Sequence, residues 1–151
     1  MKKLLTLSNV LKATATIFGL VAFCLMFADQ LYFSVFTEKA FVGFEDALFG
    51  ENGAALSFVG YLFVLLATLA TCVLTFAPLK DKMKKIVNLA VAGVMIIGAI
   101  FIFVEAAVVN GKTDTTIMNL AAAPIVAGVF AIVSALAVVT SGIVSDKPLL
   151  K

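Results

Sequence analysis

The chain has 151 residues, 63% of them hydrophobic and 13% charged, and its mean hydropathy is +1.17. Soluble domains are roughly 45 to 50% apolar, so this composition excludes an ordinary soluble domain and indicates an integral membrane protein. The net charge of +2 comes from eleven lysines at the ends of apolar runs, which indicates membrane orientation and excludes nucleic acid as an expected partner.

The first apolar run predicts a membrane span over residues 13–36. It has to continue past Asp29 and Gln30, because residues 13–28 alone give roughly 24 Å of helix and the hydrocarbon core is roughly 30 Å thick. Residues 1–12 mix lysine with leucine. They form either a short amphipathic helix on the membrane surface or the polar start of this span.

The segment 37–53 is the longest loop in this prediction. It carries four carboxylates against one lysine, and its phenylalanines make it too apolar for a free linker. We therefore expect it to fold onto the outer membrane surface, as either a short helix or a hairpin.

Three further spans are predicted over residues 54–77, 86–109 and 117–141. Pro78 is well placed to end the second span, and the Asn110-Gly111 pair is typical of a turn that closes the third. Pro124 lies in the first turns of the fourth span, where we expect a kink because proline removes a backbone hydrogen bond.

The lysine positions predict the orientation of the chain. Lysines mark the cytoplasmic side, and they concentrate at both termini and in the hinge between the second and third spans. The hinge lysines are Lys80, Lys82, Lys84 and Lys85. The sequence thus predicts an all-α protein of one domain, residues 1–151: an antiparallel four-helix bundle in the plasma membrane, with cytoplasmic termini and an extracellular 37–53 loop.

Small residues predict where the spans pack, because helices in lipid associate through close van der Waals contact. The fourth span has alanines at four-residue spacing, and the third span has two glycines. These packing candidates are Ala123, Ala127, Ala131, Ala135, Gly93 and Gly98.

Polar residues near the outer ends of the spans form a candidate site. Asp29 and Glu105 fall within spans that both run outward, and their heights differ by only a few ångströms. The full set is Asp29, Gln30, Tyr61, Glu105 and Asn119. Two interpretations stay open: both carboxylates are hydrated at the membrane boundary, or they form an outward-open pocket that holds a cation or a shared proton.

The remaining residue types give little support to enzymatic chemistry. Histidine, arginine and tryptophan are absent, and Cys24 and Cys72 lie in separate spans without a CxxC pair. No nucleophile–base pair or metal-ligand cluster can be assembled from the sequence. We expect no cofactor, no metal and no enzymatic activity.

Four spans, cytoplasmic ends and a longer first outer loop resemble the topology of claudin-type tetraspans. The tryptophan and the cysteine pair of that family's first loop are missing here. Small multidrug transporters also have four spans and a carboxylate in the first, but their chains and loops are shorter. No functional residue is carried over from either family.

These observations favour a non-enzymatic bacterial membrane protein that acts through protein or lipid contacts, as an oligomeric scaffold or an accessory subunit. Its expected partners are membrane lipid and either copies of itself or another membrane protein. The alternative function is a small transporter or channel that uses Asp29 and Glu105.

Overall fold

A computed structural model describes residues 6–35, 38–77, 79–114 and 117–144. The protein is mostly helical, and four of its helical segments are long and apolar enough to cross a membrane. These four segments are Leu7–Phe27, Ala55–Phe76, Asp81–Thr113 and Ala122–Ile143. The prediction of four spans is supported at the level of helix length and composition.

The first span begins earlier than the sequence predicts. Helix α1 (Leu7–Cys24) starts after Thr6, whose side chain accepts a hydrogen bond from the backbone N–H of Asn9. This bond satisfies one of the free N–H groups of the first turn. A short 3-10 turn, Leu25–Phe27, continues the helix. Of the two interpretations for residues 1–12, the described part, 6–12, fits the start of the span.

The predicted range 13–36 is wrong at both ends, because the lysine at position 12 does not mark the start of the helix. Lys12 is instead buried inside α1, and its Nζ donates to the carbonyl of Leu74 at 2.8 Å. Starting at Leu7, 21 residues give roughly 32 Å of helix, so no further residues are needed to cross the membrane. The chain is free to leave the helix after Phe27.

A three-stranded sheet follows, which corrects the all-α prediction. Strands β1 (Leu31–Val35) and β2 (Glu38–Val42) form an antiparallel hairpin, and β1 also pairs with β3 (Asn119–Leu120). The order is β2-β1-β3. A short helix, α2 (Phe44–Phe49), comes next, so the segment 37–53 contains both a hairpin strand and a helix.

The second and third spans are α3 (Ala55–Phe76) and α4 (Asp81–Phe103), the latter continued by α5 (Glu105–Thr113). The range 54–77 agrees closely with α3, but the helical segment predicted as 86–109 is longer at both ends. Pro78 lies outside the described residues.

The turn predicted at Asn110-Gly111 is wrong. Both residues lie inside α5. Nδ2 of Asn110 donates to the carbonyl of Met118 at 2.9 Å, and the backbone N–H of Met118 donates to Oδ1 of Asn110 at 3.0 Å. The asparagine therefore holds the following loop against the helix.

Helix α6 (Ala122–Ile143) is the fourth span. The predicted start at residue 117 is wrong, because the chain forms β3 before the helix begins. Pro124 is the third residue of α6, where the N–H has no intrahelical partner in any case. The reason for predicting a kink there does not apply.

The four long helices pack as a ring, in which α1 and α4 each contact both α3 and α6. Two apolar layers fill its centre, and each takes residues from all four helices. One layer contains Ala22, Met26, Leu48, Tyr61, Val64, Ala99, Ile102, Ala127 and Ala131. The other contains Ala15, Ala67, Ala92, Met95, Ala135 and Val138.

A third apolar cluster lies beneath the sheet. Leu31, Ala47, Ala54 and Val109 are buried there, so the sheet, α2 and α5 share a core of their own. Ile102, Glu105 and Val109 are three and four residues apart and share one helical face. Glu105 thus falls between this third cluster and the bundle layer that contains Ile102.

Candidate functional site

Gln30 closes the end of α1. It is fully buried, and its Nε2 lies 2.8 to 3.0 Å from the carbonyls of Leu25, Met26 and Ala28. The last carbonyls of a helix have no intrahelical donor, so a buried helix end needs such a partner. The side chain supplies it where the chain turns from helix to strand.

The phenol of Tyr61 completes this arrangement. Tyr61 is fully buried in α3, and its Oη donates to Oε1 of Gln30 at 2.8 Å. The bond joins α3 to the segment that leads from α1 into β1. Both groups of the Gln30 amide are therefore engaged.

Glu105 is the unusual member of the site. Its side chain is 0% exposed, and neither carboxyl oxygen has a hydrogen-bond partner within the described part of the chain. Ile102, which is three residues before Glu105 on the same helical face, packs in the same apolar layer as Tyr61. Glu105 lies twenty positions after Lys85, a distance of roughly 30 Å of helix and about one hydrocarbon thickness. Its side chain is enclosed by protein.

This environment limits what the carboxyl group can do. An ionised carboxylate buried without a partner is costly, so such a group binds a proton, pairs with a cation or is hydrated when the protein opens. Tyr61 and Gln30 are further buried polar residues at this end of the bundle. The arrangement suits reversible binding of a proton or a small cation.

The structure does not bring Asp29 into this site. Asp29 is exposed, although its neighbour Gln30 is buried. The predicted proton shared with Glu105 required both carboxylates inside helices, but the first helix ends before Asp29. Asp29 is thus open to the surroundings of the protein, whereas Glu105 is enclosed.

Asn119 also lies outside the buried group. It is exposed in β3, where it pairs with Tyr32, and its Nδ2 donates to the carbonyl of Ile117 at 3.1 Å. The site that the structure assembles therefore contains Gln30, Tyr61 and Glu105 of the five predicted residues.

The predicted helix-packing residues also differ in burial and in how closely other helices approach them. Ala127, Ala131 and Ala135 are buried in the two bundle layers, whereas Ala123 is half-buried. Gly98 faces Gly60, and a Cβ at Gly98 would lie 2.7 Å from the Gly60 carbonyl oxygen. Gly93 has open space where a Cβ would be. Close approach of α3 and α4 thus depends on Gly98 and Gly60.

A second polar group lies at the other end of the bundle and was missed from the sequence. Ser8 Oγ donates to the Ser141 carbonyl at 2.9 Å, and Asn88 Nδ2 donates to Ser141 Oγ at 3.1 Å. Asn88 is a lone amide within an otherwise apolar run, and that was the available signal. Its Oδ1 is buried without a hydrogen-bond partner among the described residues.

The hinge lysines lie at this same end. Lys80, Lys82 and Lys85 are exposed, and Lys84 is half-buried. The other lysines used to predict orientation at the termini, apart from Lys12, lie outside the described residues. Within the described ranges, no three His, Cys, Asp or Glu side chains converge as metal ligands.

No family model, no curated protein and no solved structure matches the chain.

Proposed function

We propose that the chain is a non-enzymatic four-span protein of the plasma membrane that acts through protein or lipid contacts, as an oligomeric scaffold or an accessory subunit. In this proposal the spans form an antiparallel bundle, the termini and the hinge lysines are cytoplasmic, and the sheet lies outside. Contacts between helix ends support it. Ser8 of α1 bonds the end of α6, and Ser57 at the start of α3 bonds the Phe101 carbonyl near the end of α4.

The observation that carries the proposal is the closed interior of the bundle. Each of the two apolar layers receives side chains from all four helices, and small residues let the helices approach closely. A conducting pore needs a path lined by water or polar groups. Stacked apolar layers favour a fixed structural unit over a pore.

The outer layer gives this unit a surface for contacts. Phe27, Phe41 and Phe49 are each more than half exposed at this end of the molecule. Phe27 packs edge-on against Phe44, with ring centroids 5.3 Å apart, which ties α2 to the end of α1. Exposed rings on an ordered scaffold suit contact with lipid or with a second protein.

A second candidate function is transport of a proton or small cation. The observation that favours it is the fully buried carboxyl group of Glu105, which has no hydrogen-bond partner among the described residues. Since Asp29 is exposed, the transport site in this version consists of Glu105, Tyr61 and Gln30. Transport would require the apolar layers to open.

Reconstitution separates the two candidates. Wild-type protein and Glu105→Gln are placed in liposomes at equal density, and proton, sodium and potassium fluxes are measured. Native mass spectrometry of the same proteins in nanodiscs reports assembly. The contact function predicts fluxes equal to those of empty liposomes, together with a defined oligomer or a stoichiometric partner. A flux that Glu105→Gln abolishes would overturn it in favour of transport.

A further inference from the structure

We propose that a groove between the start of α4 and the end of α6 binds an anionic phospholipid. The groove has a volume of about 170 Å³ and is lined by Lys85, Leu89, Val139, Gly142 and Ile143. The inference rests on the proposed membrane placement and names a lipid that the protein would contact. Shape, polarity and charge each support it.

The groove has the polarity of a lipid molecule. Lys85 and Leu89 are one turn apart on α4, and Val139 and Ile143 are one turn apart on α6, so each pair shares a face. Lys85 and Ile143 lie nearest the end of the bundle, with Leu89 and Val139 one turn deeper. A headgroup at Lys85 would leave its acyl chain along the deeper apolar pair.

Gly142 lines the groove at a point where α4 and α6 approach each other closely. A Cβ at Gly142 would lie 3.0 Å from Nδ2 of Asn88, so the two helices are already close behind this point. Leu89 and Ile143 are 65% and 71% exposed, and in a membrane they face lipid. The groove therefore opens toward the bilayer and away from the bundle core.

The exposed lysines near the groove predict which lipid headgroup it prefers. Lys80, Lys82 and Lys85 are exposed at this end, and Asp81 is the acidic residue among them. Basic residues beside a membrane attract anionic lipids, and one lysine at the headgroup contributes about fivefold to binding. A zwitterionic headgroup carries its own ammonium group, which competes with lysine for the phosphate. The groove should prefer phosphatidylglycerol to phosphatidylethanolamine.

Tryptophan fluorescence tests this proposal because the natural chain contains no tryptophan. Leu89→Trp places a single probe in the groove, and Leu69→Trp places one on α3, where Leu69 is 50% exposed. Each protein is reconstituted in mixed vesicles in which either phosphatidylglycerol or phosphatidylethanolamine carries brominated, quenching chains. We expect the groove probe to be quenched about fivefold more effectively by the anionic lipid. The α3 probe should show no preference.

Two charge variants in the Leu89→Trp protein complete the test. Lys85→Gln should remove the preference, whereas Lys80→Gln removes the same charge outside the groove and should retain most of it. Equal quenching by both lipids at the groove probe would overturn the proposal, as would a preference that survives Lys85→Gln. If neither lipid quenches the α3 probe, the proposed membrane placement is wrong. That result differs from equal quenching at the groove probe, which contradicts the lipid site alone.

Discussion

At the residue scale, the most consequential feature is the contrast between two buried polar neighbours. Tyr61 donates a hydrogen bond to Gln30, whereas Glu105 has no hydrogen-bond partner among the described residues. A satisfied buried polar group stabilises a fold modestly, and an unsatisfied one costs free energy. Substitutions at the two positions should therefore have opposite effects.

Tyr61→Phe should destabilise the protein by about 1–2 kcal/mol, because it leaves the buried Oε1 of Gln30 without a donor. Denaturant unfolding in mild detergent measures the change. Tyr32→Phe removes a phenol from a half-buried strand position and should change the free energy of unfolding by less than about 0.5 kcal/mol. Equal effects of the two substitutions would show that the Tyr61 bond contributes nothing specific.

Glu105→Leu should leave stability unchanged or raise it by about 1–3 kcal/mol, because an apolar side chain replaces a buried carboxyl group without a hydrogen-bond partner in the described part of the chain. Glu45→Leu is the matched control at an exposed position and should have little effect on stability. A marked loss of stability at position 105 alone would mean that the carboxyl group has a bound ligand or an ordered water as its partner.

At the element scale, the helix pair α3–α4 shows why one glycine matters and another does not. The carbonyl of Gly60 occupies the space beside Gly98, whereas nothing lies within 4 Å of a Cβ at Gly93. Both glycines are in α4, so their helix propensities are alike. Only the packing differs.

Gly98→Ala should destabilise the protein by about 1–3 kcal/mol, since the added methyl forces the helices apart. Gly93→Ala should be neutral or stabilising by up to about 1 kcal/mol, because alanine favours helix over glycine. Thermal unfolding in detergent compares the two variants directly. If Gly98→Ala were as stable as Gly93→Ala, the α3–α4 contact would not depend on close approach.

Some of the helices and strands could be predicted from the sequence, and others could not. Four helices follow from the apolar runs, because roughly 20 apolar residues are enough to cross a bilayer. The bounds of α1 could not be predicted from the sequence. Lys12 suggests a helix boundary, but it lies inside α1, where it is buried and bonded to a carbonyl of another helix. Strand β3 could not be predicted either, since its two residues pair with β1 almost ninety positions earlier in the chain.

The candidate site was predictable to the same extent. Depth along the helices predicts Gln30, Tyr61 and Glu105 near one level, since helical rise is regular, and the structure joins Tyr61 to Gln30 by a hydrogen bond. The direction of each side chain depends on where helices end and how they pack. Asp29 and Gln30 are adjacent in the chain, yet one is exposed and the other fully buried.

At the scale of the whole molecule, three regions follow one another along the helices: a basic end, an apolar bundle, and the sheet with α2 and α5. The segment Asp81–Thr113 has 33 residues, or roughly 50 Å of helix, and therefore extends beyond a hydrocarbon core of roughly 30 Å. It links the hinge lysines to the core beneath the sheet. Both the proposed function and the proposed lipid groove require these two ends to lie on opposite sides of a bilayer.

Cysteine labelling in intact cells tests that claim most directly. Cys24 and Cys72 are first replaced by alanine, because both are exposed. A single cysteine is then introduced at Met83 or at Glu45, both exposed positions. A thiol reagent that does not cross membranes should label the cysteine at position 45 in intact cells, and the one at position 83 only after the cells are opened. Labelling of position 83 but not 45 in intact cells would reverse the orientation, and labelling of both would contradict a membrane between them.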